Sequence, residues 1–478
     1  MTLEGRSRWI ALLVLCLGDL MIVLDGTIVN VALPSIQEDL GLSETSLSWI
    51  VNGYLLTFGG FLLLGGRLGD LFGQRKMFLA GIGLFTVASL ACGLANSQEL
   101  LVAARAIQGL GGALVSSVAL SLTMVLFTEP ADRAKAMGIF GFVLSGGGAV
   151  GVLLGGFLTE ISWHWIFLVN LPVGVAVFAL SLRLLPGVVG SAAGGRIDIG
   201  GAVTVTAALM LAVYAIVNGN GTGWTSGETL GLLGASLVLF AIFLTLESRL
   251  SQPLMPLGIF RNRSVSSANA VGVFLAAGMF AYFFFSALYL GKVLGYSPLQ
   301  VGLAYLPGTI IWGASSLYSD RFVMRFGIRP PLLGGLATMT IGLLLLARAP
   351  VDGSFLIDVL PATVLAGIGA GIAFNPLLLA AMGGVAPSES GLASGVVNTA
   401  FMMGGALGLA VLASLASSRT DSLASDGEEA LAALNGGFHA AFLLGAVFLT
   451  AAIVVGAALL RAAPAGAGAE APAAPEPA

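Results

Sequence analysis

Three charged side chains interrupt apolar runs that are long enough to cross a lipid bilayer. Asp19 and Asp25 lie in the first run, and Arg105 lies in the fourth. A lone charge at the bilayer centre costs about 2.5–3.5 kcal/mol on insertion scales, so each is expected to be paired, to face a wet cavity or to have a function. A carboxylate beside a fixed cation can be switched between its charged and neutral forms. These residues are therefore the candidates for proton chemistry.

Counting residues along the runs places Asp25 and Arg105 at one depth. Asp25 is seven residues before Ala32, near the outer end of its run, and Arg105 is six residues past Glu99. At 1.5 Å per residue both lie roughly 10 Å below the outer surface, so they can pair. Arginine does not titrate, so Asp25 is predicted to carry the proton. The alternative is a permanent structural ion pair.

Asp19 allows three interpretations. It lies six residues before Asp25, which is about 120° around a helix, so both carboxylates can border one cavity without touching. Asp19 is either a second proton site, a contact for a cationic substrate, or a local group bonded to a neighbour.

The elements that must position these residues follow from composition. Of 478 residues, 57% are hydrophobic and 9% are charged, which excludes a soluble enzyme. A membrane-spanning helix needs about 20 apolar residues, and fourteen such runs occur, which predicts an all-α integral membrane protein. The predicted spans are 9–31, 46–65, 77–95, 100–126, 138–157, 165–185, 199–217, 230–247, 265–290, 298–318, 331–347, 356–380, 391–415 and 440–460.

Basic residues set the predicted orientation. With the N-terminus inside, sixteen of the twenty Lys and Arg residues face the cytoplasm, three face outward, and Arg105 lies within a span. By the positive-inside rule both termini are cytoplasmic, in a bacterial inner membrane. The Ala/Pro/Gly tail 461–478 is predicted to be disordered.

The chain repeats itself after about 250 residues. The segment GGRLGDLFGQRK at 65–76 has a looser copy, SDRFVMRFGIR, at 319–329. We therefore predict a six-helix bundle at 1–185, a linker with two inserted helices at 186–263, and a second six-helix bundle at 264–460. Repeats of this kind place a substrate site near the midplane, between the halves.

Two further groups of residues suggest moving parts. The repeated loop motif predicts a cytoplasmic gate, although its charges could instead only anchor helices at the headgroups. The fifth run has glycines every fourth residue, which gives either a sliding surface or static packing for another helix. The gate residues are Asp70, Gly73, Arg75, Asp320 and Arg321, and the glycines are Gly147, Gly151 and Gly155.

Aromatic and amide side chains supply candidates for a substrate cavity. Such cavities are mostly apolar with a few polar groups, and the second half has no acid in the apolar core of a span. The candidates are Gln108, Tyr282, Tyr305, Trp312, Asn375 and Asn398. Any one of them could instead face lipid or another helix.

Other chemistry is not supported. The two histidines, His164 and His439, lie near predicted span ends, and the two cysteines, Cys16 and Cys92, are far from any partner. No catalytic residues, metal site or cofactor are therefore expected, and the lack of a basic tract excludes nucleic acid.

Five motifs resemble the major facilitator superfamily, specifically its 14-helix drug/proton antiporter branch, the EmrB/QacA type. They are the loop motif at 65–76 and LDGTIVNVALPSI, RAIQGLGGA, GAVGVLLGG and WHWIFLVNLPVG at 24–36, 105–113, 148–156 and 163–174. The chain departs from them at Leu71, Gln74 and Val152. The resemblance implies a proton-driven exporter of amphipathic organic compounds, acting as a monomer in the bilayer without a cofactor. The alternative is a proton-coupled importer or facilitator of a small nutrient.

Overall fold

A computed structural model of the protein describes residues 6–127, 129–185, 198–250, 253–383, 385 and 390–460. Nearly all of these residues are helical, and no strand occurs among them. Twelve helices in this part of the chain are long and apolar enough to cross a membrane. The all-α membrane fold is thereby confirmed. The tail 461–478, predicted to be disordered, lies outside the described residues.

Fourteen helical segments coincide with the fourteen predicted spans, and the sixth is interrupted at Val169. A π-helical turn, Tyr289–Val293, extends the ninth, and another, Phe355–Val359, precedes the twelfth. They are α1 (Arg6–Leu40), α2 (Glu44–Phe72), α3 (Gln74–Gly93), α4 (Gln98–Leu126), α5 (Pro130–Ile161), α6 (Trp165–Leu168 and Asn170–Leu184), α7 (Ile199–Thr222), α8 (Gly227–Arg249), α9 (Arg263–Leu288), α10 (Pro298–Phe326), α11 (Arg329–Leu346), α12 (Leu360–Met382), α13 (Ser390–Ser425) and α14 (Ala430–Leu459).

Several helices are longer than their predicted spans. The span 9–31 becomes a helix that ends at Leu40, and the span 391–415 becomes one that ends at Ser425. A search for apolar runs finds the part of a helix that crosses hydrocarbon. Backbone hydrogen bonding continues beyond that part, so the polar helix ends were missed.

The two halves pack their equivalent helices in the same way. Gly151 of α5 lies against Thr27 of α1, and Gly408 of α13 lies against Ala277 of α9. In each case the missing side chain lets two backbones approach closely. This agreement supports the internal repeat, while the domain limits stay a prediction.

The inserted helix α7 packs beside the line where α2 meets α13. Thr206 of α7 contacts Gly60 of α2, and the Asn220 amide donates a hydrogen bond to the Ser414 carbonyl oxygen of α13 at 2.6 Å. The pair α7–α8 therefore lies on the side of the molecule where α2 packs against α13. On the opposite side the two halves meet through α5 and α10, and no described residue of α7 or α8 lies at that contact.

The halves meet tightly where α5 ends and α10 begins. A methyl group added at Gly156 of α5 would lie 2.9 Å from the Pro298 carbonyl oxygen, and Gly302 of α10 packs against the same glycine. The Leu299 amide also donates a hydrogen bond to Glu160 Oε2 at 3.2 Å. The α5–α10 contact is therefore closed at this end, which is the predicted outer end, in this conformation.

Candidate functional site

Asp25 and Arg105 form an ion pair in the interior of the first half. Arg105 Nη1 donates to Asp25 Oδ2, and both side chains are 1% exposed. Arg105 Nε also donates to the Ile50 carbonyl oxygen of α2 at 3.1 Å. The guanidinium thus joins α1, α2 and α4. The structure brings together the pair that the depth argument predicted, while its role in coupling stays a prediction.

Gln108 belongs to this ion pair and not to a substrate cavity, which corrects its predicted location. Its Nε2 donates to Asp25 Oδ1 at 2.7 Å, and its Oε1 accepts from Arg105 Nη1 at 2.7 Å. The side chain is fully buried. An amide three residues from Arg105 lies on the same helix face, and it can donate to the carboxylate while accepting from the cation.

Two uncharged residues complete the site, and sequence reasoning missed both. Asn170 Nδ2 donates to Asp25 Oδ1 at 3.3 Å, and the Ser89 hydroxyl accepts from Gln108 Nε2 at 2.8 Å. Asp25 therefore receives hydrogen bonds from three side chains, which compensate its buried charge. The only signal for Asn170 was its position inside the motif at 163–174, and Ser89 had none.

Asp19 faces α4 as well, six residues nearer the N-terminal end of α1 than Asp25. The Ser116 hydroxyl donates to Asp19 Oδ1 at 2.6 Å, and Asp19 is buried. Both carboxylates of α1 therefore make hydrogen bonds to one helix, Asp25 to Gln108 and Asp19 to Ser116. The bond to Ser116 is the feature that the third interpretation of Asp19 required.

The predicted gate residues lie at the end of α2, at the turn into α3 and in the last two turns of α10, and they form no ion pair among the described residues. Asp70 is exposed, and Gly73 turns the chain between α2 and α3 with φ 96°. Arg75 donates to the Leu182 carbonyl oxygen of α6. Asp320 is exposed, and Arg321, also exposed, lies over the Tyr318 ring at 5.2 Å. The contact that Arg75 makes here stays within its own half.

The glycine stripe of α5 packs inside the first half and not across the molecule. Gly147 contacts Leu20 of α1, while Gly151 and Gly155 contact residues one and two turns further along α1. The neighbour Gly156 makes the contact with the second half. Successive residues differ by about 100° around a helix, so Gly155 and Gly156 face different partners. The stripe packs against a helix as predicted, while a sliding role stays a prediction.

The candidate aromatic residues of the second half form one cluster. Phe283, which was not predicted, lies with its ring centroid 6.2 Å from Trp312 and 5.8 Å from Tyr305, and Tyr282 lies 5.9 Å from Tyr305. The adjoining cavity measures about 10 Å³. That volume admits one water and no organic molecule. In this conformation Tyr282 and Tyr305 are buried, and Phe283 and Trp312 are half-buried.

The two candidate amides lie apart from the aromatic cluster. Asn375 Nδ2 is 3.4 Å from Ser316 Oγ of α10, which is a long contact. Asn398 is half-buried on α13, one turn from Phe401, whose ring packs against Phe374 of α12 at 5.7 Å. The predicted substrate residues therefore divide into an aromatic cluster and an amide group, and Gln108 belongs to neither.

Comparison with known proteins places these features in a family. The family described as Major Facilitator Superfamily matches residues 15–409. The puromycin resistance protein pur8 of Streptomyces alboniger is 40% identical, and the match covers 93% of this chain and 90% of that protein. The cephamycin export protein CmcT of Amycolatopsis lactamdurans is 36% identical, over 88% of this chain and 87% of that protein.

A solved structure shows the same fold at low sequence identity. A bacterial homolog of the human lysosomal transporter Spinster, crystallised in an inward-facing and unoccupied conformation, superposes with a TM-score of 0.66. It is 17% identical, and the match covers 95% of this chain and 97% of that chain. At that identity the likeness concerns the fold alone.

Proposed function

This chain belongs to the major facilitator superfamily and is a multi-pass membrane transporter, not an enzyme, and from this premise we propose that it exports antibiotics and related amphipathic compounds in exchange for protons. The names of its relatives support the direction and the class of substrate. The proton gradient replaces any cofactor as the source of energy.

The buried Asp25 site carries the proposal. A carboxylate with 2% of its surface exposed is retained in a membrane protein only when it is compensated or has a function. Arg105, Gln108 and Asn170 compensate it in the anionic state. A proton from outside would neutralise Asp25 and release it from Arg105. Deprotonation toward the cytoplasm would restore the pair, so the two states can be linked to two arrangements of the helices.

Alternating access follows from the contacts between the halves. The Gly156–Gly302 contact closes the outer end of α5 and α10. In the opposite state this contact opens, and the cytoplasmic gate of Asp70 and Arg75 closes. The exposed Asp70 and the bond of Arg75 to its own half are what an unlatched gate would show.

Charge limits the substrate class. The first half contributes two buried carboxylates in its spans, and one of them is paired with Arg105. The net charge available to a substrate is therefore near minus one, which suits a neutral or singly positive compound. Aromatic groups in such a compound can stack on the Phe283–Trp312 cluster once the halves separate.

The proposal also includes the membrane, the orientation and the oligomeric state. The transporter lies in a bacterial plasma membrane with both termini in the cytoplasm, and it works as a monomer. The division into bundles at 1–185 and 264–460, joined by 186–263, supplies the two bodies that rock against each other.

Proton movement in inverted membrane vesicles tests the proposal. Vesicles acidified inside are loaded with the pH dye pyranine, and puromycin is added at the exposed cytoplasmic face. Export predicts that puromycin addition accelerates proton efflux from the vesicle lumen, and that vesicles without the transporter show no such response.

An uncoupler in whole cells separates export from import. Export predicts that collapsing the proton gradient raises cellular puromycin, because efflux stops. A fall in cellular puromycin would instead establish the importer, and puromycin export that continues unchanged after the gradient is collapsed would overturn proton coupling.

A further inference from the structure

Tyr54 of α2 has a buried hydroxyl for which the described residues offer no hydrogen-bond partner. The residue is 5% exposed, and its oxygen is unpartnered. Its ring is already fixed: the Arg105 guanidinium carbon lies 4.3 Å from the ring centroid, and Phe58 stacks at 5.7 Å. Packing therefore explains the ring but not the hydroxyl, which a phenylalanine would lack at no loss of contact.

The hydroxyl lies at an intermediate level between the two carboxylates of α1. A methyl group added at Gly112 of α4 would be 3.2 Å from the Tyr54 oxygen. On the same face of α4, one turn outward, Gln108 contacts Asp25, and one turn inward, Ser116 contacts Asp19. Four residues of helix rise about 6 Å, so one water molecule can bridge the Tyr54 hydroxyl to the carboxyl group of Asp25, and another can bridge it to that of Asp19.

We propose that Tyr54 relays the coupling proton from Asp25 to Asp19, so that Asp19 is the inner proton site of the transporter. This inference rests on the proposed function. The Tyr54 oxygen accepts a proton from the Asp25 carboxyl through one water and releases its own proton through a second water to the Asp19 carboxylate. The hydroxyl then rotates back. One O–H bond forms as another breaks, Asp25 becomes an anion, Asp19 becomes neutral, and tyrosine ends unchanged.

The relay solves a problem of access. Asp25 is enclosed while the outer contact of α5 and α10 is closed, so its proton must leave inward. Asp19 is six residues nearer the cytoplasmic end of α1, about 9 Å along the helix. The titratable and charged groups around the path are Asp25, Asp19 and Cys16 of α1, Arg105 of α4 and Cys92 of α3. Among these, the two carboxyl groups are ordinarily stronger acids than the thiols, so the relay assigns the coupling proton to them.

The test is Tyr54→Phe in proteoliposomes, because phenylalanine keeps the ring on Arg105 and removes only the hydroxyl. Puromycin uptake driven by a pH gradient is expected to fall at least about tenfold, a bound set below the roughly hundredfold minimum that a positioned proton-transfer group typically contributes. Exchange of labelled for unlabelled puromycin without a gradient needs no net proton transfer and is expected to keep its wild-type rate. Asp19→Asn should give the same pattern, and Tyr214→Phe, an exposed tyrosine of α7, serves as the matched control.

The outcomes separate the relay from the proposed function. If the wild-type protein moves no protons with puromycin, the proposed function fails and not the relay alone. If the wild type is coupled and Tyr54→Phe retains full pH-driven uptake, the relay is overturned. A variant that loses exchange together with coupled uptake would show a structural role for the hydroxyl and would also overturn the relay. A coupled Asp19→Asn protein would remove Asp19 as the inner site.

Discussion

The two halves share one fold but differ in what they bury. The first half encloses Asp19, Asp25 and Arg105, and in the described part of the second half no charged residue is buried. In the second bundle the structure instead has the ring cluster of Phe283, Tyr305 and Trp312, on α9 and α10. The same backbone arrangement therefore supports an ionisable interior in one half and an aromatic interior in the other.

This difference indicates that the first half couples transport to protons and the second half binds the substrate. A charge network responds to protons, while an aromatic surface offers stacking area with little dependence on pH. Changes in the first half should break coupling, and changes in the second should alter affinity for the substrate. Each of the following variants tests whether coupling depends on the first half and substrate affinity on the second.

The largest effect is expected from Arg105→Lys. Lysine keeps the charge but cannot donate to Asp25, Gln108 and the Ile50 carbonyl oxygen in the geometry of the guanidinium. Disrupting a buried ion pair costs about 3–5 kcal/mol when a partner is lost, so pH-driven puromycin uptake should fall by roughly a hundredfold or more. Uptake into proteoliposomes at matched protein amounts measures this.

Arg249→Lys, at the exposed end of α8, is the control for a basic residue outside both the network and the gate. Wild-type coupling in Arg105→Lys would show that any cation suffices at this position. The hydrogen-bond geometry of the guanidinium would then not be required for coupling.

A smaller but still large loss is expected from Gly156→Leu, at the contact that joins the halves. The added side chain would meet the Pro298 carbonyl oxygen and the Leu299 Cα, which are backbone atoms that cannot move aside like a side chain. The outer end should then stay open. Labelling of a cysteine introduced at Ser35 with a membrane-impermeant maleimide should be faster, and transport should fall at least about tenfold because closure is a required step.

Gly231→Leu in α8 is the matched control, since nothing lies within 4 Å of its added carbon. Unchanged labelling and full transport in Gly156→Leu would mean that this contact does not close the outer face.

The smallest effect is expected from Trp312→Ala in the aromatic cluster. Loss of one stacking partner is worth about 0.5–1.5 kcal/mol, so the half-saturating puromycin concentration should rise roughly threefold to tenfold. The number of protons moved per puromycin should not change. Trp224→Ala, on the exposed outer loop between α7 and α8, is the control.

A changed proton number in Trp312→Ala would break the separation of the halves. An unchanged half-saturating concentration would instead remove the aromatic cluster from the substrate path.

The sequence predicted the helices and the central pair because both depend on quantities that run along one chain. Hydropathy locates each span, and rise per residue places Asp25 and Arg105 at one depth. Gln108, Asn170 and Tyr54 were placed wrongly or missed, because their roles depend on which helix lies opposite. A helical face is known from the sequence, but its neighbour is fixed only by packing.

The most direct test of the account is proton movement in Asp25→Asn proteoliposomes. Asparagine fits the same space and can still accept hydrogen bonds from Gln108 and Asn170, but it binds no proton in this pH range. The account predicts normal exchange of labelled for unlabelled puromycin, no proton movement on puromycin addition, and no accumulation driven by a pH gradient. Asp426→Asn, an exposed acid on the loop after α13, should behave like the wild type. Accumulation by Asp25→Asn at the wild-type rate under a pH gradient would contradict the assignment of the coupling proton to Asp25.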